Sequence, residues 1–413
     1  MQPITKRLTR DGWLLFSMRG VRMFAYGALS VVLVLYLSSQ GITQGRIGLL
    51  LTMTLLGDTA ISLWITTAAD RLGRKRMLIL GALLMVLVGA VFAGTASFPI
   101  LIVVATIGVL SPSDKEVGPF LAIEQAALSH ETAEQSRTAV FAWYQLVGSL
   151  AAALGTLLAG LACELFKEAG STGSEIYRPV VLGYAAAGIL LAAGFAWLSP
   201  AAEPSFAKHA TETPRWLGLH KSRGVVLKLS ALFALDAFGG GFVLQSIVAF
   251  WFQRRYALEP AALGSLLCVA NLLAAGSALV AASLARRFGL IRTMVFTHLP
   301  SNVLLILVPL MPNLTWAVAV LLVRYSISQM DVPTRQSYTM AVVAPDERSA
   351  AAGITTLARS LGASLSPLIA GYLLADERWS SVPFFLAGGV KIAYDLLLWK
   401  GMQDEGRGMK AEG

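Results

Sequence analysis

Charge is scarce in this chain. Asp, Glu, Lys and Arg make up 14% of its 413 residues, against about 25% in soluble domains. Hydrophobic residues make up 56%, which sets aside a soluble globular fold of this length. Cysteine is almost absent: Cys163 and Cys268 both lie in apolar runs, so neither a disulfide framework nor a thiolate metal site is expected. The four histidines, His130, His209, His220 and His298, show no His-x3-His spacing, which argues against a metal-dependent enzyme embedded in the membrane. The chain has no Gly-x4-Gly-Lys-Ser/Thr loop, so direct coupling to ATP is not expected. No cleavable leader is expected, because residues 1–10 are polar and basic and the apolar run that follows is long and has no small-residue cleavage site. No cofactor is expected.

What the chain does have is long apolar runs. Twelve are readable, at 13–37, 47–69, 77–95, 98–128, 138–163, 179–198, 226–252, 261–285, 291–311, 314–338, 350–374 and 380–399. Each is long enough to cross a hydrocarbon core of about 30 Å as a helix. Helices are required, because a lipid-exposed strand would leave backbone groups unpaired. Lys and Arg concentrate in the N-terminus, the even-to-odd loops and the C-terminus, which places both termini in the cytoplasm. The net charge of +9 then points to anionic lipid at the bilayer surface rather than to nucleic acid. The longest polar break, 199–225, carries Pro200, Pro204, Pro214, Lys208, Lys221 and Arg223 and reads as a cytoplasmic linker. It separates an N-terminal bundle, 1–198, from a C-terminal bundle with a short tail, 226–413.

Between the second and third spans lies Ala69-Asp70-Arg71-Leu72-Gly73-Arg74-Lys75-Arg76. Five charges in seven residues exclude hydrocarbon, and Gly73 permits a tight turn in a conformation other residues resist. This loop resembles the cytoplasmic signature of the major facilitator superfamily of transporters, with one departure: Thr66 stands where a glycine usually precedes the aspartate. The halves also repeat. Ile47-Gly48 and Gly73 match Leu263-Gly264 and Gly289 at an offset of 216, while Arg137, Ser149-Leu150 and Ala159-Gly160 match Arg348, Ser360-Leu361 and Ala370-Gly371 at 211. Residues 284–292 form a weaker copy of the loop, with Arg286 in place of Asp70. The resemblance implies an all-α membrane protein of twelve transmembrane helices in two pseudo-symmetric six-helix bundles, acting as a monomer in the plasma (inner) membrane. It also implies a secondary active transporter that moves a small molecule or ion by alternating access, with Asp70, Arg71, Gly73 and Arg74 in gating. The drug-exporter reading is weakened because span five lacks a Gly-Pro pair. A non-transporting sensor on the same fold is the alternative.

A charge at a helix centre costs about 2.5–3.5 kcal/mol on insertion scales, so each needs a partner or water. In the superfamily the first, fourth, seventh and tenth helices line the central cavity, where substrate binds. Here all four carry ionisable residues: Arg22; Asp114, Lys115, Glu116 and Glu124; Asp236; and Arg324 and Asp331. Arg22 and Asp236 sit at equivalent depths with opposite charge and are expected to pair. Asp236 precedes Gly239-Gly240-Gly241, which invites close packing or bending, and Gln245 could add a neutral hydrogen bond beyond it. Spans four and ten are expected to break at Ser111–Pro119 and Ser328–Pro333. Arg22, Glu116, Asp236, Gln245, Arg324 and Asp331 are therefore the candidate substrate and proton path, with Asp236 expected to exchange a proton during transport. Arg324 and Asp331, seven apart, should share a helical face. Lys391 and Asp395 should pair locally at i, i+4, while Asp58 and Asn271 should be hydrogen-bonded packing residues.

Overall fold

A computed structural model describes residues 9–112, 120–131, 134–199 and 219–411. Its described residues form fifteen α-helices and short 3-10 turns. They account for twelve spans. Nine are single helices: α1 (Arg10–Ser39), α2 (Gln44–Leu72), α3 (Arg74–Gly94), α6 (Glu134–Glu168), α7 (Arg178–Ala196), α10 (Pro260–Phe288), α11 (Leu290–Leu307), α14 (Arg348–Ala375) and α15 (Val382–Ala411). The other three are each split in two: α4 (Phe98–Ile107) and α5 (Phe120–Glu131), α8 (Arg223–Gly241) and α9 (Gln245–Tyr256), and α12 (Leu314–Tyr325) and α13 (Asp331–Val342). By length and hydropathy ten segments can cross a membrane, counting α8–α9 as one, and α4 and α12 are shorter apolar helices.

The split spans are the fourth, seventh and tenth, and composition explains each. After α4 the chain runs through Gly108, Ser111 and Pro112 without helical structure. The three glycines at the end of α8 contribute little to helix propagation, since each is about 0.8–1.0 kcal/mol less favourable than alanine. Before α13 the chain turns through 326–330. Pro333 is then the third residue of α13, within the first turn, where its missing N–H would have no intrahelical acceptor. The breaks expected in spans four and ten are present, and Ser113–Pro119 lie outside the described residues.

The helices cluster into two compact units, one of residues 1–209 with 244–271, the other of 210–243 with 272–413. The first therefore contains α9 and the first part of α10 as well as α1–α7. Within it α1 packs on α6, α7 and α9, α3 on α7, and α2 on α4. Within the second, α8 packs on α14 and α15, and α11 on α15 and α13.

Small residues let backbones touch, which is how membrane helices gain contact without a hydrophobic driving force between them. A Cβ on Gly27 of α1 would lie 2.1 Å from the carbonyl oxygen of Ala152 on α6. In the second unit, a Cβ on Gly241 of α8 would lie 2.3 Å from that of Ala363 on α14. These two crossings are the same joint in two copies, 214 residues apart on one helix and 211 on the other. Gly160 of α6 also meets Gly264 of α10 backbone to backbone. The signature loop and its copy share a turn as well: Gly73 (φ 98°, ψ 135°) and Gly289 (φ 87°, ψ 159°) each join two helices in a region open to glycine.

Candidate functional site

Each unit buries its own charged cluster. In the first, Arg22 of α1 forms a bidentate pair with Glu124 of α5, Nη1 to Oε1 at 2.5 Å and Nη2 to Oε2 at 2.7 Å. Both side chains are wholly buried. The Tyr144 hydroxyl on α6 donates to the same carboxylate, and the guanidinium lies over the Phe120 ring. Such a fork-to-carboxylate geometry is the strongest form of ion pair available to arginine. Beside it Arg19 donates to the Tyr144 carbonyl and the Gln145 side chain. A Cβ at Gly148 would lie 2.6 Å from Arg19 Nε, so the glycine makes room for it.

In the second unit Asp236 of α8 is the hub. Its Oδ1 accepts from Lys391 Nζ of α15 at 2.6 Å and lies 3.6 Å from His298 Nε2 of α11. Its Oδ2 accepts from Arg359 Nη1 of α14 at 3.1 Å and Arg335 Nη1 of α13 at 3.3 Å. Arg335 is shared with Asp331, one turn before it, at 2.8 Å. His298 Nδ1 meets Asp395 Oδ1 at 2.8 Å, and Asn302 donates to the other oxygen of Asp395 at 3.0 Å. His298 thus stands with one ring nitrogen toward each of two aspartates. The glycine triplet makes this packing possible: a Cβ on Gly239 would lie 2.9 Å from Lys391 Cγ.

The two clusters are copies with the charges exchanged. Arg22 and Asp236 each stand five residues before the crossing glycine, Gly27 or Gly241. Glu124 on α5 and Arg335 on α13 stand 211 residues apart, the offset of the repeat. The cation on span one answers an anion on span four, while the anion on span seven answers a cation on span ten.

Several expectations are corrected. Arg22, expected to pair with Asp236, is paired with Glu124 within its own unit, and the partners of Asp236 come from four other helices of its own unit. Lys391 and Asp395 do not pair locally, because they reach Asp236 and His298 respectively. Arg324 and Asp331 are not on one continuous helix: the turn at 326–330 intervenes, and Asp331 pairs with Arg335. Among the described residues Arg324 has no carboxylate partner, and its guanidinium lies near the Tyr325 ring. Asn271 is buried with neither side-chain polar atom hydrogen-bonded among the described residues.

Gln245, the first residue of α9, donates to Ser30 Oγ of α1 at 3.1 Å, and its own side-chain oxygen has no partner among the described residues. Glu116 lies outside the described residues, as do the side chains of Asp70 and Arg71. Gly73 and Arg74 sit at the turn, where Lys75 donates to the Leu198 carbonyl just past α7, a favourable place for a cation. At the start of α14, buried Glu347 accepts from the backbone N–H groups of His220, Lys221 and Ser222, at 2.5, 2.7 and 2.8 Å. It thereby fastens the chain that leads into α8.

Sequence reasoning placed Glu124 on a cavity-lining span and left Arg359 between cavity and cytoplasmic gate without giving either a partner, and it missed His298, Arg335, Lys391 and Asp395 as members of these clusters. One signal was within reach: Glu124 and Arg335 coincide at the 211-residue offset. The chain matches the model of the Major Facilitator Superfamily over residues 15–330. An uncharacterised membrane protein of Saccharomyces cerevisiae, YJR124C, is 29% identical over 95% of this chain and 94% of its own length. Among solved structures, the nucleoside transporter NupG is 13% identical over 95% of this chain and 99% of its own, with a TM-score of 0.72. A D-xylose–proton symporter is 13% identical over 94% and 97%, with a TM-score of 0.68. At such identities these structures share the fold.

Proposed function

Since the chain belongs to the major facilitator superfamily, we propose that it moves a small solute across the membrane by alternating access, in exchange for or together with protons, and that Asp236 is the carboxylate that carries the proton. The observation that supports this is the Asp236 hub itself: one buried carboxylate held by side chains from four other helices. The affinity of a carboxyl for its proton depends on burial and on the charges beside it. A cycle that brings Lys391, Arg335, Arg359 and His298 close to Asp236 in one state and withdraws any of them in another changes that affinity. His298, between Asp236 and Asp395, offers a second group able to pass the proton. One similar structure is that of a proton symporter by name, which is consistent with this reading. The spans are taken as two six-helix halves joined by the 199–225 linker, with both termini and the Asp70 loop in the cytoplasm and the loop acting as a gate. The chain acts alone, in the plasma membrane.

The test is transport in proteoliposomes with a panel of candidate solutes, with and without a pH gradient. Asp236→Asn should abolish accumulation driven by the gradient while solute exchange persists. If the variant accumulates solute against a gradient as well as the parent does, Asp236 is a structural partner only.

A further inference from the structure

Three basic side chains, Arg335, Arg359 and Lys391, surround Asp236, and among the described residues Asp331 is the other carboxylate they reach. Asp395, the third carboxylate nearby, is taken up by His298 and Asn302. With all three protonated, one positive charge is left over among these five groups; Asp395 offsets it when His298 is neutral and not when His298 is protonated, and a buried unbalanced charge is unfavourable unless something answers it.

The members also differ in how firmly they are held. Arg335 is clamped between two aspartates, and Lys391 lies in the space left by Gly239. Arg359 is different. Among the described residues only its Nη1 is hydrogen-bonded, to Asp236, and its side chain is 31% exposed where that of Asp236 is 3%. A guanidinium carries five N–H donors in a planar fork that matches an oxyanion. The rest of that fork has no hydrogen-bond partner among the described residues.

We propose that the solute is a small organic anion whose carboxylate binds Arg359, with Lys391 completing the seat when Asp236 takes up its proton and releases both. This rests on the proton-coupled reading above and names its substrate class. A proton arriving on Asp236 removes one negative charge from the hub, and the bound carboxylate replaces it. Proton and anion therefore enter together with no net change of charge around Arg335, Arg359, Lys391, His298, Asp331 and Asp395.

Binding tests this apart from transport. The purified full-length chain is heated at constant ionic strength with sodium benzoate, sodium lactate, benzamide, benzylamine hydrochloride or inorganic phosphate, and its unfolding midpoint is followed. Benzoate or lactate should raise the midpoint by at least about 2 °C at saturating concentration, while benzamide and benzylamine should not. Asp236→Asn, which frees both cations, should respond at least as strongly. Arg359→Gln should lose the response, and Arg359→Lys should keep part of it. Stabilisation by benzylamine or benzamide that survives Arg359→Gln would overturn the proposal. So would the absence of any response to both carboxylates in the parent and Asp236→Asn alike, or a response to phosphate alone. Loss of gradient-driven accumulation in Asp236→Asn alongside a flat carboxylate response would leave the coupling reading standing and remove only the substrate class.

Discussion

Arg22 and Glu124 allow a quantitative test of what the buried pairs contribute. Arg22→Gln would leave the Glu124 carboxylate wholly buried, with the Tyr144 hydroxyl as its remaining partner among the described residues. Breaking a buried pair from one side costs about 3–5 kcal/mol, most of it the penalty of the charge left behind. The unfolding entropy of a 413-residue chain, at about 2.1 cal/mol/K per residue, turns that into a midpoint about 3–6 °C lower. Glu124→Gln should cost a similar amount, since it strands the guanidinium. The double variant Arg22→Gln/Glu124→Gln removes both charges and leaves two amides able to bond each other. It should be less damaged than either single variant, with a coupling of about 2 kcal/mol or more. The measurement is a thermal series on the four purified proteins, read by the fraction that elutes monodisperse after heating. Additive losses in the double variant, or an Arg22→Gln midpoint within 1 °C of the parent, would show that the pair is not a desolvated, mutually dependent unit.

Other outcomes follow from the geometry. Gly241→Ala should lose about 1–3 kcal/mol of stability, because its Cβ would sit 2.3 Å from the Ala363 carbonyl oxygen. Gly353→Ala, which has open space around it, should be neutral or slightly stabilising in the same heat-denaturation assay. Asp70→Asn should weaken gating and leave the folded protein in the membrane, so near-normal flux across all solute concentrations would remove the gating role. Glu347→Gln should loosen the segment ahead of α8, seen as several-fold faster tryptic cleavage after Lys221 and Arg223, with unchanged cleavage arguing that the three backbone bonds do not protect it.

The spans were readable because a bilayer forces apolar residues into blocks of crossing length. The reading of 47–69 and 350–374 lies within a few residues of α2 and α14. Breaks were readable where proline and glycine announce them. The charged partners were not, because a pairing across the bundle leaves no local mark. Lys391 and Asp395 have the spacing of a pair on one helix, yet Lys391 reaches back 155 residues to Asp236. Arg335 could be inferred from its i, i+4 relation to Asp331, but the break at 326–330 hid which side of span ten that turn faces. Arg22 and Asp236 occupy equivalent places, and equivalence suggested contact where the structure has two separate pairs.

The glycine triplet has a consequence for how the hub could signal. Three glycines are about 2.5–3 kcal/mol less helical than three alanines, so the last turn of α8 is held by its neighbours rather than by itself. Two of those neighbours are the backbone of α14 at Ala363 and the stem of Lys391. A lysine that leaves Asp236 therefore also removes a support from the end of the helix that carries Asp236. Helix length becomes a variable tied to charge: ion-pair rupture and fraying of residues 239–241 are one event, visible as amide exchange at those positions that quickens whenever the hub opens.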